Sequence, residues 1–281
     1  MNPDIIIKNL DNLKPVPHVL DRLIRIAEDP DSSMADLGQV IEHDPALTAN
    51  ILKVCNSSFF GLSKRVESVR QAVNLLGIDQ VIDIALLQLS GENFRGEQKG
   101  YNLQRGELWR YSVSSALMAR LIAERKGMEK THLVFTSSLL KDIGKVVLSV
   151  FVKDSLDRIE AMVSRDDVSF LEAEKAVLGI DHAELGALVA EKWRFSDEMV
   201  EIIRNHHPGK AGARVTRELS AVYLADILCM MMGLGGGTDG LAYWFHREIA
   251  DSLGFSEQDL EAIMAAFSDE VRRIGDLGLT A

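Results

Sequence analysis

The sequence predicts an all-α fold, a multi-helix bundle, for three reasons. Hydrophobic residues make up 47% of the chain but aromatic residues only 6%, so aliphatic side chains must fill most of the interior, as they do in packed helices. Helix-capping signals recur along the chain. No segment alternates apolar and polar residues over about six or more positions between turn signals, as a half-buried strand would.

The first helix boundaries lie in the N-terminal third of the chain. Asp44 precedes Pro45 and the segment ALTANILKVC, which predicts an N-cap followed by proline at the first helical position. Ser68 precedes VRQAVNLLG, and its last residue, Gly77, stands where a helix would end. These signals predict two helices separated by a loop.

Two further helix starts have the spacing of a capping box, in which the cap residue and the residue three positions later hydrogen-bond to each other's backbone. Ser169 with Glu172 and Asp181 with Glu184 match this spacing. Apolar residues then recur at helical intervals after Asp181. They are Leu185, Leu188, Val189 and Trp193.

Polar and glycine-rich segments divide the chain. Residues Ser90 to Arg105 are polar between two apolar helical stretches. They predict an N-terminal helical lobe at residues 1–95 and a larger lobe at residues 106–281, joined by a loop at residues 96–105. The segment GLGGGTDG, from Gly233 to Gly240, follows a helix and lacks the lysine and hydroxyl residue of a phosphate-binding loop. It predicts a flexible connector.

The C-terminal stretch DSLGFSEQDLEAIMAAFSDEVRRIGDLGL predicts one amphipathic helix. Its apolar side consists of Leu260, Ile263, Met264, Phe267 and Val271. Such a face predicts docking on the protein's own domain, with a surface for a partner as the alternative.

Charge and cysteine content limit the function classes. The formal net charge is −11, so the chain repels phosphate backbones and nucleic-acid binding is not expected. Cys55 and Cys229 each lie in an apolar helical pattern without metal-binding spacing, which predicts buried, reduced thiols. Neither a signal peptide nor a membrane-spanning segment is evident. We therefore expect a cytoplasmic protein that binds no membrane.

Five polar residues lie where apolar ones would be expected: Asp142, His182, His206, His207 and Asp226. The helix of Asp226 is apolar nearly all round, and a buried carboxylate must be paired, hydrogen-bonded, bound to metal or neutralised. Imidazoles and carboxylates are ligands of hydrolytic metal sites. Each residue also has a structural alternative, such as bracing a helix, bonding to local backbone or favouring a helix C-terminus. Spacing alone leaves both interpretations open.

The order of these residues resembles the HD superfamily, metal-dependent phosphohydrolases in which a histidine, a His-Asp pair and a later aspartate bind one or two metals. The segment LLKDIGKVVL resembles the His-Asp element, with Asp142 kept and Lys141 in place of the histidine. The segment ELWRYSVSSALMA resembles the helix of the first histidine, with Tyr111 at that position. Asp226 in YLADIL matches the final aspartate.

Three histidines extend this resemblance to the cyclic-di-GMP phosphodiesterase branch. His182, His206 and His207 match the additional histidines of that branch. The branch continues with a glutamate and a Gly-Tyr-Pro element, whereas this chain reads HHPGKAGARV. The missing element weakens the case for cyclic-di-GMP as a substrate.

The N-terminal part is similar to the HDOD family. The matching elements are Pro15 and Pro17, the turn from Asp44 to Thr48, Asn56 with Ser57, and the helix end from Ala72 to Gly77. The resemblance extends over nearly the whole chain and implies one HDOD module. In such a module an N-terminal helical lobe packs on an HD-like helical lobe whose metal ligands are often incomplete.

The replacements at Tyr111 and Lys141 bear directly on metal binding. A protonated lysine has no lone pair for a metal and repels a divalent cation at short range. Tyrosine is a poor ligand while it keeps its proton. We therefore expect Tyr111 and Lys141 to remove most metal affinity, and we expect no catalytic residues. We expect the Lys141 ammonium to neutralise Asp226 or a neighbouring carboxylate, and we expect Asp142 less as its partner because adjacent helical residues point apart.

Three functions remain open from the sequence. The preferred one is a non-catalytic bacterial signal-transduction regulator, without a cofactor, that acts by contact with other signalling proteins. The first alternative is a metal-dependent phosphohydrolase of a nucleotide or cyclic dinucleotide. Its divalent Fe, Mn, Ni, Zn or Mg ion would lie at a displaced site among Asp142, His182, His206, His207 and Asp226. The second alternative is a sensor that binds a nucleotide without hydrolysing it.

Overall fold

The computed structural model describes residues 3–13, 18–29, 31–57, 59–62, 65–166, 168–207, 215–235, 237–238 and 245–274. The helices are α1 (Pro3–Lys8), α2 (His18–Glu28), α3 (Met34–Glu42), α4 (Pro45–Cys55), α5 (Val69–Leu76), α6 (Ile78–Phe94), α7 (Glu107–Arg125), α8 (Thr131–Leu140), α9 (Ile143–Lys153), α10 (Leu156–Asp166), α11 (Phe170–Leu178), α12 (His182–Lys192), α13 (Asp197–Asn205), α14 (Arg217–Met231), α15 (Arg247–Ser252) and α16 (Glu257–Ile274). Short 3-10 helices span Asn9–Asn12 and Lys99–Tyr101. No β-strand occurs within these ranges, only an isolated bridge between Gln98 and Leu103. The predicted all-α fold is confirmed.

The chain divides into two compact units. The small unit consists of Pro15–Glu92 with Ala265–Ala281, and the large unit consists of Met1–Lys14 with Asn93–Met264. Each unit is therefore built from two separate stretches of sequence.

Local capping signals define the helices of the small unit. Asp44 accepts hydrogen bonds from the backbone N–H of Ala46 and Leu47 at the start of α4, and Ser68 caps α5. Gly77, with φ 89°, ends α5, as the sequence predicted. The α3 helix contacts α2, α4 and α5, and its residues Leu37 and Ile41 are fully buried among them.

The large unit is organised around two helix packings. The α7 helix packs against α8 and α14, and α12 packs against α9 and α13. Gly144 lies where α9 crosses α12, and a Cβ atom there would stand 2.0 Å from the carbonyl oxygen of His182. The absence of a side chain at Gly144 lets the start of α9 approach the start of α12. This approach brings Asp142 next to His182.

Three expectations about helix boundaries need correction. The α6 helix continues to Phe94, so the first residues of the polar stretch from Ser90 to Arg105 are helical. The C-terminal stretch begins with the last two residues of α15, and Gly254 then turns the chain with φ +67°. The predicted amphipathic face lies on α16 alone, which Ser256 caps through Asp259. Asp181 caps α12, but the Glu184 carboxylate contacts Lys175 instead of the cap backbone.

Other expectations are confirmed. Ser169 and Glu172 form the predicted capping box at α11. Cys55 and Cys229 are buried free thiols, and burial raises the pKa of Cys55 to about 11. On α16, Ile263 and Phe267 are buried. No described helix combines the length and the apolar character that a membrane crossing requires.

Several predicted features fall partly outside the described residues. Pro15, Pro17 and residues 208–214 of the HHPGKAGARV segment lie outside them, as do Gly236, Asp239 and Gly240. The described part of the glycine-rich segment lies on the large unit. A Cβ on Gly235 would stand 2.8 Å from the Tyr111 ring, and the Thr238 N–H donates to the carbonyl oxygen of Tyr101 at 2.9 Å.

Candidate functional site

The large unit brings together the polar residues that the sequence singled out. Six helices contribute to the cluster: α7, α12 and α14, α8 and α9 through their junction, and α13 through its C-terminal end. The residues are Tyr111, Lys141, Asp142, His182, His206, His207 and Asp226, and all of them lie in the interior or nearly so.

The ammonium of Lys141 stands between two carboxylates. The Lys141 residue is 0% exposed. Its Nζ contacts the carboxylate of Asp142 and lies 2.6 Å from Oδ1 of Asp226. The expected pairing with Asp226 is therefore present. The expectation that Asp142 was the less favoured partner is wrong, because Asp142 also contacts Lys141: α8 ends at Leu140, and Asp142 is the N-cap of α9 with φ −92° and ψ 9°. Lys141 and Asp142 are therefore not successive residues of one helix, and their side chains can meet.

A second cation completes this network. Nζ of Lys145 lies 2.8 Å from Oδ1 of Asp142, and the Lys145 residue is 4% exposed. Lys145 is not among the residues predicted from the sequence, although residues three apart share a helix face. Two ammonium groups and two carboxylates therefore balance each other inside the large unit.

These charges set the pKa values of the network. Burial alone would lower the pKa of Lys141, but Asp142 and Asp226 outweigh it and raise this pKa above its ordinary value. Burial would raise the pKa of Asp142, yet Lys141 and Lys145 hold it well below its usual range. The Lys141 ammonium and the Asp142 carboxylate are therefore both charged at neutral pH.

Tyr111 is a hydrogen-bond donor to this network. Its hydroxyl donates to Oδ1 of Asp226 at 2.5 Å, and its ring lies under the Lys141 ammonium, 4.7 Å from Nζ to the ring centroid. Burial and the nearby Asp226 charge raise the pKa of Tyr111 well above its usual value. The phenol is therefore neutral at pH 7, with its proton directed to Asp226.

The three histidines form the other half of the cluster. Ligand atoms of Asp142, His182, His206 and His207 all lie within 4.8 Å of one another. Nε2 of His182 and Nε2 of His206 each lie 3.9 Å from Oδ1 of Asp142, too far for a hydrogen bond. Asp226 is not a member of this group, although its Oδ2 lies 3.8 Å from Nδ1 of His207.

A backbone acceptor orients the ring of His206. Nδ1 of His206 lies 2.7 Å from the carbonyl oxygen of Ile203, so Nδ1 must carry the proton and Nε2 the lone pair. Burial lowers the pKa of His206 and of His207 well below the usual value, which keeps both rings neutral at pH 7.

Glu174 is a buried carboxylate that the sequence analysis missed. It accepts hydrogen bonds from the Tyr101 hydroxyl at 2.6 Å and from Nδ1 of His182 at 2.7 Å. Burial would lower the pKa of His182, but Glu174 outweighs it and raises this pKa. The signal was available, because Glu174 shares the inner face of α11 with Phe170 and Val177.

The cluster fits a metal on one side only. Between Asp142 and Asp226 the Lys141 ammonium already contacts both carboxylates, so the residues there do not fit a metal. On the histidine side, two buried Nε2 atoms, of His182 and His206, have no hydrogen-bond partner among the described residues. Imidazole nitrogens around a carboxylate suit a single transition-metal ion.

An all-α chain with this polar cluster in its interior defines the class of HD-like helical proteins. The family model of the HDOD domain matches residues 13–208, more than half of the chain. The protein belongs to the HDOD domain family.

Comparisons with solved structures show the same fold. An HDOD domain protein of unknown function from Geobacter sulfurreducens has 24% sequence identity and a TM-score of 0.77, with 97% of both chains covered. A candidate signal transduction protein from Marinobacter aquaeolei VT8 has 23% identity and a TM-score of 0.73 over 99% of this chain and 61% of its own. A candidate metal-dependent phosphohydrolase from Shewanella amazonensis SB2B has 18% identity and a TM-score of 0.56 over 94% of this chain and 98% of its own.

One curated relative is considerably longer. An uncharacterized protein of Treponema pallidum (strain Nichols) is 24% identical over 199 residues, which are 70% of this chain and 38% of the relative. This chain therefore matches well under half the length of that protein.

Proposed function

We propose that this HDOD protein is a non-catalytic regulatory module of bacterial signalling that acts through contacts with other proteins. The observation that carries the proposal is the fully buried Lys141 ammonium between Asp142 and Asp226. A built-in monovalent cation stands where the resemblance to the HD superfamily would place a metal ligand. The module would then need neither metal nor substrate to hold its shape.

Electrostatics supports this proposal. A divalent ion held by Asp142 and Asp226 would have to displace Lys141 and would still face Lys145, 2.8 Å from Oδ1 of Asp142. Like charges at such separations repel strongly in a poorly solvated interior. Removing either partner of a buried ion pair is also costly. The signal transduction description of the Marinobacter structure points to the same class of function.

The test combines metal content with hydrolysis. The full chain is purified without chelator or a metal-binding tag, and elemental analysis is followed by assays with bis-p-nitrophenyl phosphate and cyclic-di-GMP, each with added Mn²⁺. We expect substoichiometric metal and no turnover. The matched variant Y111H/K141H restores both histidines and should gain bound metal. Stoichiometric metal and turnover in the unmodified chain, both lost in Asp142→Asn, would contradict the proposal.

A second candidate, a metal-dependent phosphohydrolase, is favoured by the histidine group. Asp142, His182, His206 and His207 would hold one divalent ion. Bound there, the ion would supply a water of lowered pKa as a nucleophile. Glu174 would orient His182 through Nδ1, as carboxylates do for metal-bound imidazoles. This candidate predicts activity that is abolished in His206→Ala and unchanged in Lys175→Ala, an exposed control.

A further inference from the structure

A groove on the small unit carries chemistry that the central cluster does not explain. It measures about 880 Å³ and lies between the outer face of α4 and the residues that precede α5. Leu52, Lys53 and Asn56 line it on the α4 side, and Leu62, Arg65 and Glu67 line it on the other. All of these residues belong to the small unit.

Asn56 fixes one wall of the groove to the other. Its amide Nδ2 donates to the carbonyl oxygens of Leu52 and Val66, each at 2.8 Å, and its Oδ1 accepts from the N–H of Val66 at 2.8 Å. The side chain of Asn56 therefore pairs with the Val66 backbone as a neighbouring strand would. Because Val66 is also buried, the groove is formed before any ligand arrives. This role accounts for Asn56 in the sequence pattern.

The groove is locally positive in a negative molecule. Lys53 and Arg65 are exposed and, among the described residues, neither forms an ion pair. Glu67 is the acidic residue of the lining, so two cations face one anion in a chain whose net charge is −11. Such a local field attracts acidic groups that the rest of the surface repels.

The shape of the groove favours an extended ligand. Lys53, Asn56 and Arg65 are exposed, whereas a pocket for a small molecule encloses most of its ligand. The half-buried side chains of Leu52 and Leu62 offer an apolar contact beside the two cations. An extended peptide can place an apolar side chain and flanking carboxylates on one such surface.

We propose that this groove binds an acidic peptide segment of a partner protein, with two carboxylates at Lys53 and Arg65 and an apolar side chain against Leu52 and Leu62. This proposal names the partner chemistry of the regulatory function and rests on it for its biological meaning. Its test is independent, because metal content and hydrolysis examine the large unit, whereas peptide binding examines the small one.

The experiment uses the full chain and a fluorescein-labelled short peptide in which two glutamates flank a leucine. Fluorescence anisotropy measures binding to the unmodified chain and to Lys53→Glu/Arg65→Glu. We expect the double variant to bind at least about tenfold more weakly. The control Arg70→Glu/Lys153→Glu changes the net charge equally at exposed positions outside the groove and should bind as the unmodified chain does.

Two further measurements keep the test decisive. Affinity for the unmodified chain should fall as salt rises, because exposed charges are screened, and peptides with glutamine for glutamate or alanine for leucine should bind more weakly. Equal losses in groove and control variants, or no binding to the unmodified chain, would overturn the proposal. So would preferential binding of inorganic phosphate or a single-stranded oligonucleotide at Lys53 and Arg65, which would make the groove a phosphate site.

Discussion

Lys141 shows how a charged side chain can occupy a protein interior. Removing an ammonium from water is costly, and the cost is offset only when carboxylates contact it in good geometry. Asp142 and Asp226 provide this contact, and Lys145 balances the second negative charge. The network is therefore neutral as a whole, and the loss of one member leaves an uncompensated charge.

The Lys141→Met variant should be strongly destabilised. It leaves Asp142 and Asp226 buried without the ammonium, a change that costs about 3–5 kcal/mol in comparable buried pairs. Urea unfolding at pH 7 measures this loss. The Lys153→Met control, at an exposed lysine of α9, should change the free energy of unfolding by less than about 0.5 kcal/mol.

The pKa shift of Lys141 adds a pH test to this variant. The folded-state pKa is raised, so the stabilisation is complete below the unfolded pKa of about 10.4 and is lost only as pH rises through the higher folded value. The stability difference between the unmodified chain and Lys141→Met should therefore be equal at pH 7 and pH 9. A difference that shrinks between these pH values would show that Lys141 is deprotonated there.

Tyr111→Phe should destabilise the protein more modestly. The variant removes the hydroxyl that donates to Asp226 at 2.5 Å but keeps the aromatic ring. Loss of one buried partner of a charged group costs about 1–3 kcal/mol. Thermal unfolding followed by circular dichroism measures it, and an unchanged midpoint would mean that Asp226 finds another donor.

Some contacts of the site were predictable from the sequence, whereas others depend on the tertiary structure. The pairing of Lys141 with Asp226 was predictable, because a buried carboxylate requires a partner. The contact with Asp142 was not, because it depends on the helix break between Leu140 and Ile143. The buried position of Glu174 was predictable from the α11 pattern, but its partners were not, because Tyr101 is distant in sequence and His182 lies on another helix.

At the scale of the element, the crossing of α9 and α12 determines the site geometry. Gly144 on α9 and Gly186 on α12 stand at this crossing, where the Cβ of a substituted Gly144 would also lie 2.7 Å from the N atom of Gly186. Interiors are packed too closely to absorb such an overlap without moving a helix. The distance between Asp142 and His182 therefore depends on a missing side chain at Gly144.

Gly144→Ala should force α9 and α12 apart. Overpacking of this kind costs about 1–3 kcal/mol, although alanine is the better helix former. Gly38→Ala on α3 is the matched control, because its Cβ would meet nothing within 4 Å; it should stabilise the protein by about 0.5–1 kcal/mol. Urea unfolding compares the two. Stabilisation in both variants would mean that the crossing is loosely packed.

The helix starts were predictable because a cap is local: Asp44, Ser68 and Ser169 each bond to backbone within three residues. The end of α6 was not predictable from a local signal. Phe94 is buried against Trp109, with ring centroids 5.9 Å apart, so tertiary packing extends a helix through a polar segment that its composition would assign to a loop.

At the scale of the whole molecule, the aromatic residues are distributed unevenly. The small unit, residues 15–92 with 265–281, contains no tryptophan and no tyrosine. Tryptophan fluorescence therefore reports on the large unit alone, whereas circular dichroism reports on the helices of both. The two signals can separate the unfolding of the units.

Leu37→Ala should lower the unfolding midpoint by circular dichroism and leave the fluorescence midpoint unchanged. Leu37 is fully buried in the small unit, and its truncation costs about 2–5 kcal/mol. Each cooperative unit unfolds in its own transition, so two compact units can give two midpoints. Equal shifts of both midpoints would instead show that the two units unfold as one.

The buried Lys141 also provides a chemical footprinting probe for the opening of the large unit. Acylating reagents require an accessible, unprotonated amine, and Lys141 offers neither while the large unit is closed. Exposed Lys153 should be acylated at once, whereas modification of Lys141 should appear in mass spectra only at the rate at which the large unit opens. A single lysine-containing peptide would thus time the opening of the centre in a cell lysate, without a label or a purified sample.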